Sequence, residues 1–194
     1  MCGVVALAFL VTACGSTESV DPAGLPTLSS TTPPVSTSPA PSNRPERPKD
    51  IDLTSVVNCS KVANLPVTRW KVGAGKPFSN PAGSMTFPGA TTCFWGRVKT
   101  EYSLGVEFVR DVGAFEYKYL DQIPHREELV KGYTMIVLSP TQLPDRCQGL
   151  IDVHDGQLVS LEYATDPKKP AEPQAALCKR LPDIATATLT ALGA

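Results

Sequence analysis

The stretch CQGLIDVHDGQLVSLEY, residues 147–163, decides the fold. Asp155-Gly156 separates two runs in which apolar and polar residues alternate, and an Asp-Gly pair in that setting is the strongest short-range signal of a β-hairpin. We therefore predict one strand over residues 147–153 and its antiparallel partner over residues 158–163.

Further strands are predicted on the N-terminal side of this hairpin. Residues 93–98 and 104–110 form a second pair, because Leu104, Val106 and Phe108 alternate with the residues between them. Residues 133–138 are apolar throughout, which is typical of a buried strand. Residues 66–91 are rich in Gly and Pro and predict a long surface loop with edge strands.

Three helical segments are predicted around these strands. A short helix lies within residues 51–65 and ends before Pro66. An amphipathic helix of about three turns spans residues 115–123, burying Phe115 and Tyr119 and leaving Tyr117 outside. The last helical region has an apolar face and is kinked or restarted at Pro182; that face consists of Leu177, Leu181, Ile184, Ala185 and Leu192.

These elements predict an α+β domain over residues 51–194. It has an antiparallel sheet of about five to six strands, two or three helices packed on it and two disulfides, and it follows a disordered tether. Its 144 residues provide enough chain for a hydrophobic core.

The N-terminus reads as a lipoprotein signal. An apolar run over residues 4–11 is too short to span a bilayer, and Val11-Thr12-Ala13-Cys14 closes it as a lipobox. Residues 1–13 are predicted to be a signal peptide, and the Cys14 thiol is predicted to carry diacylglycerol. This lipid places the protein on the outer face of the cell membrane, with the membrane as a partner.

Residues 14–50 are predicted to be a disordered tether. Of the 36 residues from Gly15 to Asp50, eight are proline, and large hydrophobic residues are sparse. Such a segment buries too little apolar surface to fold, and it reaches about 110 Å if fully extended as polyproline.

Four cysteines fall in the domain, and an exported chain meets an oxidising compartment, so two disulfides are expected rather than a metal site. We predict Cys59 with Cys178, since helices at both ends of the domain would share one sheet face. We predict Cys93 with Cys147, since a crossover through residues 114–123 would bring their strands to one sheet edge. The alternative pairing is sequential: Cys59 with Cys93 and Cys147 with Cys178.

Composition and motifs exclude several functions. The net charge of -1 gives no electrostatic basis for binding nucleic acid. The chain contains no phosphate-binding loop, dinucleotide fingerprint, nucleophile elbow or metalloprotease string, so no catalytic residue and no cofactor is predicted. The Asp-Gly turn accounts for the position of His154 without a catalytic role. His125 is expected to lie in a solvated loop or at the start of a helix. Trp70 and Trp95 are expected to pack in the core or at a sheet edge.

Five features of the sequence occur together: the lipobox, the tether, Cys93-Phe94-Trp95, the Cys147 hairpin and Cys178 at the last helix. In these features the chain resembles the actinobacterial lipoproteins of the family with domain of unknown function 3558, over about residues 51–194. That family carries no assigned activity.

Two functions from different classes fit these observations. The first is a non-enzymatic binding or interaction module that contacts an envelope protein, a lipid or a small ligand. The second is an extracytoplasmic hydrolase with an unrecognised active site. Two facing carboxylates in a cleft, or a serine in contact with a histidine, would favour the hydrolase.

Overall fold

A computed structural model describes residues 45–194 except 81, 82, 85, 97–99, 167 and 169–171. Its main element is a seven-stranded sheet in which every adjacent pair is antiparallel, in the order β1-β2-β3-β7-β6-β5-β4. The strands are β1 (Phe78–Asn80), β2 (Thr91–Trp95), β3 (Tyr102–Val109), β4 (His125–Val130), β5 (Tyr133–Leu138), β6 (Arg146–His154) and β7 (Gln157–Thr165).

The predicted α+β class with two or three packed helices is wrong, because the domain is mostly β-sheet. Its helical part is one C-terminal region made of α1 (Gln174–Cys178) and α2 (Leu181–Ala191). Pro182 lies in the first turn of α2, as the sequence indicated, because a proline there costs no helical hydrogen bond.

The two other predicted helices are absent from the described residues. Residues 51–65 contain only a 3₁₀ turn at Cys59–Val62, and a second turn follows at Val67–Trp70. Residues 115–123 contain two separate turns, Ala114–Glu116 and Leu120–Gln122, because the backbone of Tyr117 is extended. Burial on the sheet, rather than a continuous helix, accounts for the apolar residues of this segment.

The main core lies between one sheet face and a layer formed by the N-terminal segment and α2. Side chains of alternating residues in the central strands point into it, and Leu104, Val106, Leu161 and Tyr163 are fully buried there. The predicted apolar residues of the C-terminal region join them: Leu177, Leu181, Ile184 and Ala185 are fully buried, and Leu192 packs at the margin.

Two disulfides tie this layer to the sheet, and they contradict our preferred pairing. Cys59 bonds Cys93 with a Cα–Cα distance of 5.6 Å, and Cys147 bonds Cys178 at 5.2 Å. The sequential alternative is therefore the one observed. The predicted Cys93–Cys147 bond fails because β3 and β7 separate their strands, which amounts to about 14 Å at the spacing of neighbouring strands.

A cluster of aromatic rings and charges holds the C-terminal region against the sheet. The rings of Tyr102 and Tyr163 stack with centroids 5.2 Å apart, and the Arg180 guanidinium lies 4.7 Å from the Tyr102 centroid. Arg180 also donates to the Tyr163 hydroxyl at 2.9 Å and pairs with Glu172 at 3.0 Å. Burial raises the pKa of Tyr163, so its hydroxyl remains a neutral donor to the Trp70 carbonyl.

Residues assigned to the end of the tether contact the domain. The Arg47 guanidinium pairs with Asp50 at 2.9 Å, with Asp152 at 2.8 Å and with Asp155 at 2.6 Å. Burial lowers the pKa of Arg47, but the hydrogen bonds to these carboxylates outweigh it and leave the pKa raised. Lys49 donates to the Gly193 carbonyl. The N-terminal segment is thus fastened to the β6–β7 hairpin and to the end of α2.

Candidate functional site

The second face of the sheet, opposite α2, carries a row of polar side chains across its central strands. Register places Glu107 of β3 directly between Thr92 of β2 and Ser160 of β7. Two residues further along β7, at the next position on the same face, Glu162 lies opposite Gln148 of β6. We call Thr92, Glu107, Ser160, Glu162 and Gln148 the polar strip.

Protein neighbours satisfy the groups of the polar strip. The Thr92 hydroxyl donates to Glu107 Oε1 at 3.0 Å, and Gln148 Nε2 donates to Ser160 Oγ at 3.1 Å. Arg146 Nη1 lies 3.4 Å from Glu162 Oε1. The two carboxylates therefore share one sheet face, but each of them is already engaged by residues of the domain.

Glu107 is the most buried charged group of the strip, with 9% of its surface exposed. Burial raises the pKa of its carboxyl, and the nearby Glu162 carboxylate acts in the same direction. Hydrogen bonds with Ser84, Thr92 and Ser160 favour the charged form and oppose that rise. Because the pKa of this carboxyl is raised in the folded protein, the free energy of unfolding falls as pH rises through that pKa.

The rest of the second face is apolar and is covered by residues from two loops. Phe87, Ala114 and Tyr117 pack with the face-directed side chains of β5 and β6 in a second core cluster. The predicted orientation of the tyrosines is reversed: Tyr117 is buried, with 8% exposed, and Tyr119 is 41% exposed. The extended backbone at Tyr117 turns that side chain inward, which a continuous helix would not do.

A depression of about 260 Å³ lies where β1 and β2 meet the segment before β1. Phe78 and Phe94, which are direct partners in the β1–β2 register, contribute two aromatic rings to it. Trp95, Lys76 and Thr100 also line it. Phe78 is 46% exposed, so the aromatic surface is open to solvent.

A second groove, of about 540 Å³, separates the 3₁₀ turns from α2. Lys61 and Arg69 line it on one side and Asp183 on the other. Arg69 pairs with Asp183 at 3.0 Å, and Asp183 also accepts from Trp70 Nε1 at 2.7 Å. These bonds join the two walls of the groove.

The ring of each histidine lies beside a backbone carbonyl oxygen that is close to it in sequence. His125 lies on edge strand β4, which the sequence analysis missed, and its Nδ1 is 2.9 Å from the Ile123 carbonyl. His154 contacts the Asp155 carbonyl at 2.9 Å beside the hairpin turn. Among the described residues, no serine is hydrogen-bonded to a histidine.

Glu107 belongs to no motif that singles it out in the sequence. The alternation of β3 did place its side chain on the face opposite Leu104 and Val106, which was the available signal. Its partners Ser84 and Ser160 are distant from it in sequence, so the sequence does not show that they meet. Both tryptophans lie in the core, as expected, with Trp70 4% and Trp95 3% exposed.

Comparison with known protein families gives a match over most of the chain. A family model described as protein of unknown function (DUF3558) matches residues 9–191. The chain belongs to this family. No curated protein and no solved structure matches the chain. The DUF3558 assignment agrees with the resemblance noted from the cysteine framework, and it supplies no activity.

Two further observations concern the described part of this DUF3558 protein. None of its helices there has the length and apolar character needed to cross a membrane. No group of three or more His, Cys, Asp or Glu side chains among the described residues is arranged to hold a metal ion. Cys14 and most of the predicted tether lie outside the described residues.

Proposed function

We propose that the protein is a lipoprotein of the actinobacterial type, held on the outer face of the cell membrane by diacylglycerol on Cys14. The lipobox at residues 11–14 and the proline-rich tether support this proposal. The two disulfides support it as well, because disulfides persist in oxidising compartments outside the cytoplasm.

The domain acts as a non-enzymatic binding module toward a partner or ligand of the cell envelope. The observation that carries this proposal is the aromatic pair Phe78 and Phe94, in which Phe78 is 46% exposed. The pair lies in register at the sheet edge and in line with Glu162 and Gln148. Exposed aromatic surface beside hydrogen-bonding groups is typical of binding sites.

The arrangement of the carboxylates favours binding over hydrolysis. A hydrolase of the two-carboxylate kind needs both groups directed at a substrate. Here Arg146 pairs with Glu162, and Thr92 donates to Glu107, so both carboxylates have structural partners.

The anchor is tested by expressing the wild-type chain and Cys14→Ser in an actinobacterial host with an alkyne analogue of palmitate. We expect label and membrane fractionation for the wild type. We expect neither acylation nor stable membrane association for the variant. Acylated, membrane-bound Cys14→Ser protein would contradict the proposal.

The binding role is tested in the same host with a photo-crosslinking phenylalanine analogue at position 78. The matched control carries the analogue at Val57, which is also apolar and is 65% exposed. We expect a discrete adduct from position 78 that is absent from position 57 and is lost in Phe94→Ala. The same adducts from both positions, or none from either, would refute the binding role.

A further inference from the structure

The second face carries a row of residues that crosses the strands from edge strand β1 to β6. Phe78 lies opposite Phe94, and Phe94 lies opposite Gly105. Gly105 lies opposite Glu162, which in turn lies opposite Gln148. We call these residues the cross-strand row. It covers about 19 Å at the spacing of neighbouring strands, a length that suits an extended ligand rather than a single ring.

Gly105, in the middle of the cross-strand row, is a glycine that packing does not require. A glycine inside a strand costs stability, and it marks a bulge, a bend or the close approach of a backbone or a ligand. The register of β3 is regular on both sides of Gly105, and a Cβ there would make only ordinary contacts, 3.7 Å from Glu162 Cβ and 4.0 Å from Phe94 Cδ2. At Gly149, by contrast, a Cβ would lie 3.1 Å from Met135 Sδ, so packing accounts for that glycine. The approach of a ligand is the reason that remains for Gly105.

The two phenylalanines give one end of the row an aromatic surface beside a carboxylate. Because position 105 has no side chain, the Phe94 ring leans toward Glu162. Phe94 is partly exposed, and Phe78 is 46% exposed. The C–H groups of a sugar ring form an apolar face that packs on an aromatic ring, while the hydroxyls at its rim stay free to form hydrogen bonds.

The polar groups of the row favour an uncharged ligand that donates hydrogen bonds. Arg146 Nη1 lies 3.4 Å from Glu162 Oε1, so a neighbour balances the charge of this carboxylate. A carboxylate accepts several hydrogen bonds, and one such contact leaves it able to accept more. Gln148 Nε2 donates to Ser160, and the amide oxygen of Gln148 is an acceptor. The hydroxyls of a neutral sugar supply donors to both groups without adding charge.

The direction of the row separates a sugar chain from the other extended ligands of the envelope. A bound peptide strand pairs along the edge of a sheet through its backbone, whereas this row runs across the strands. A lipid chain needs a continuous apolar surface, and Glu162 and Gln148 interrupt it.

We propose that the cross-strand row binds a neutral oligosaccharide of the cell envelope. Its sugar rings pack on Phe78 and Phe94, and its hydroxyls donate to Glu162 and Gln148. This inference rests on the binding role proposed above and names the class of ligand for the same surface.

The test is an NMR titration of the ¹⁵N-labelled full chain with linear neutral hexasaccharides. The probes are α-linked glucose, β-linked glucose, mannose and galactose chains. With at least one of them at millimolar concentrations, the backbone amide of Gly105 should shift with saturation. The amide of Gly132, in the turn between β4 and β5 at the other edge of the sheet, should stay in place.

A matched pair of carboxylate variants tests the polar half of the row. Glu162→Gln keeps the size of the side chain and should weaken binding about tenfold, because hydrogen bonds to a charged acceptor are stronger than neutral ones. The control is Glu128→Gln, which should leave the affinity unchanged. Glu128 is also a partly exposed strand carboxylate paired with an arginine, but it lies on edge strand β4.

Gly105→Val tests the middle of the row. The variant should fold, because valine favours strands and a Cβ at this position meets only ordinary contacts. Its branched side chain separates the Phe94 ring from Glu162, so the saturable shift of the Gln148 side-chain amide should be lost. Circular dichroism and Tm show whether the sheet is intact, and Phe78→Ala replaces this variant if it is not.

The proposal is overturned if no hexasaccharide shifts Gly105, or if Gly105 and Gly132 shift together. It is also overturned if Glu162→Gln and Glu128→Gln weaken binding equally, or if folded Gly105→Val binds as the wild type does. A protein or lipid adduct from position 78 in the host, with no hexasaccharide bound, would overturn the oligosaccharide inference and leave the binding role in place.

Discussion

Removal of the Cys147–Cys178 disulfide should cost the domain a large part of its stability. The bond joins β6, an interior strand of the sheet, to the end of α1, and its cysteines are 0% and 2% exposed. Replacing both by alanine removes the cross-link without placing a hydroxyl or a free thiol in the core. The folded sheet should remain, because its backbone ladders do not depend on the bond.

The magnitude follows from the loop that the bond closes. The two cysteines are 31 residues apart in sequence, and the chain-entropy relation gives about 4 kcal/mol for a loop of that length. Domains of this size have an unfolding free energy of about 5–15 kcal/mol. The loss corresponds to a drop of about 10 °C in Tm.

Urea unfolding, followed by far-ultraviolet circular dichroism and by tryptophan fluorescence, measures the difference in unfolding free energy. The matched control is Cys59→Ala with Cys93→Ala, whose loop has a sequence separation of 34. Loop entropy varies only with the logarithm of length, so both double variants should lose nearly the same free energy. A loss below about 1 kcal/mol for Cys147→Ala with Cys178→Ala would refute the reasoning. A non-reduced peptide that links Cys59 to Cys178 would do so as well.

Three further predictions follow from single side chains. Because burial raises the pKa of Glu107, the wild type should lose stability relative to Glu107→Gln as pH rises through that pKa. Urea unfolding at several pH values should show the difference in unfolding free energy growing from about pH 4 to 7. A difference that stays constant over this range would contradict the prediction. Arg47→Met leaves the buried Asp152 carboxylate without this partner and should lower the unfolding free energy by about 3 kcal/mol in the same assay. A loss within error would show that the N-terminal segment around Arg47 does not stabilise the domain. Gly96→Ala should lower the Tm by more than Gly89→Ala does. Both glycines have positive φ, but only at position 96 would the added Cβ clash with a backbone atom. Equal losses of Tm would refute the clash.

The strand pairs joined by local signals were predictable from the sequence. The Asp155-Gly156 turn placed the β6–β7 hairpin within one or two residues of its observed bounds, and residues 133–138 form β5 as predicted. In both cases the pattern of side chains along a short segment matches the face that the segment buries. No knowledge of distant residues is needed.

The segments that cover the sheet were not predictable in this way. Three apolar residues of the segment after β3 pack on the second face, namely Phe115, Leu120 and Ile123. Their spacing predicts a helix, but the extended backbone at Tyr117 interrupts it. Strand β4 carries His125, Arg126 and Glu127 on an exposed sheet edge, so it lacks an apolar pattern. Charged edge strands protect a sheet from further pairing, and their sequences resemble loops.

The disulfide pairing and the candidate site depended on strand order, which the sequence left open. Cys93 and Cys147 both begin apolar runs, and only the position of β3 and β7 between their strands shows that they cannot bond. Glu107 and Ser160 become neighbours through the same order, and so do Phe94 and Glu162 on either side of Gly105. Long-range pairing therefore decides what the second face contains.

The mass of the mature N-terminal peptide decides whether the protein is anchored by lipid, with its domain displayed outside the cell, as we propose. The protein is extracted with detergent from membranes of its own host, digested and analysed by mass spectrometry. We expect a peptide that lacks residues 1–13, begins at Cys14 and carries diacylglyceryl on its sulfur. A peptide that retains residues 1–13, or one with an unmodified Cys14, would contradict this expectation.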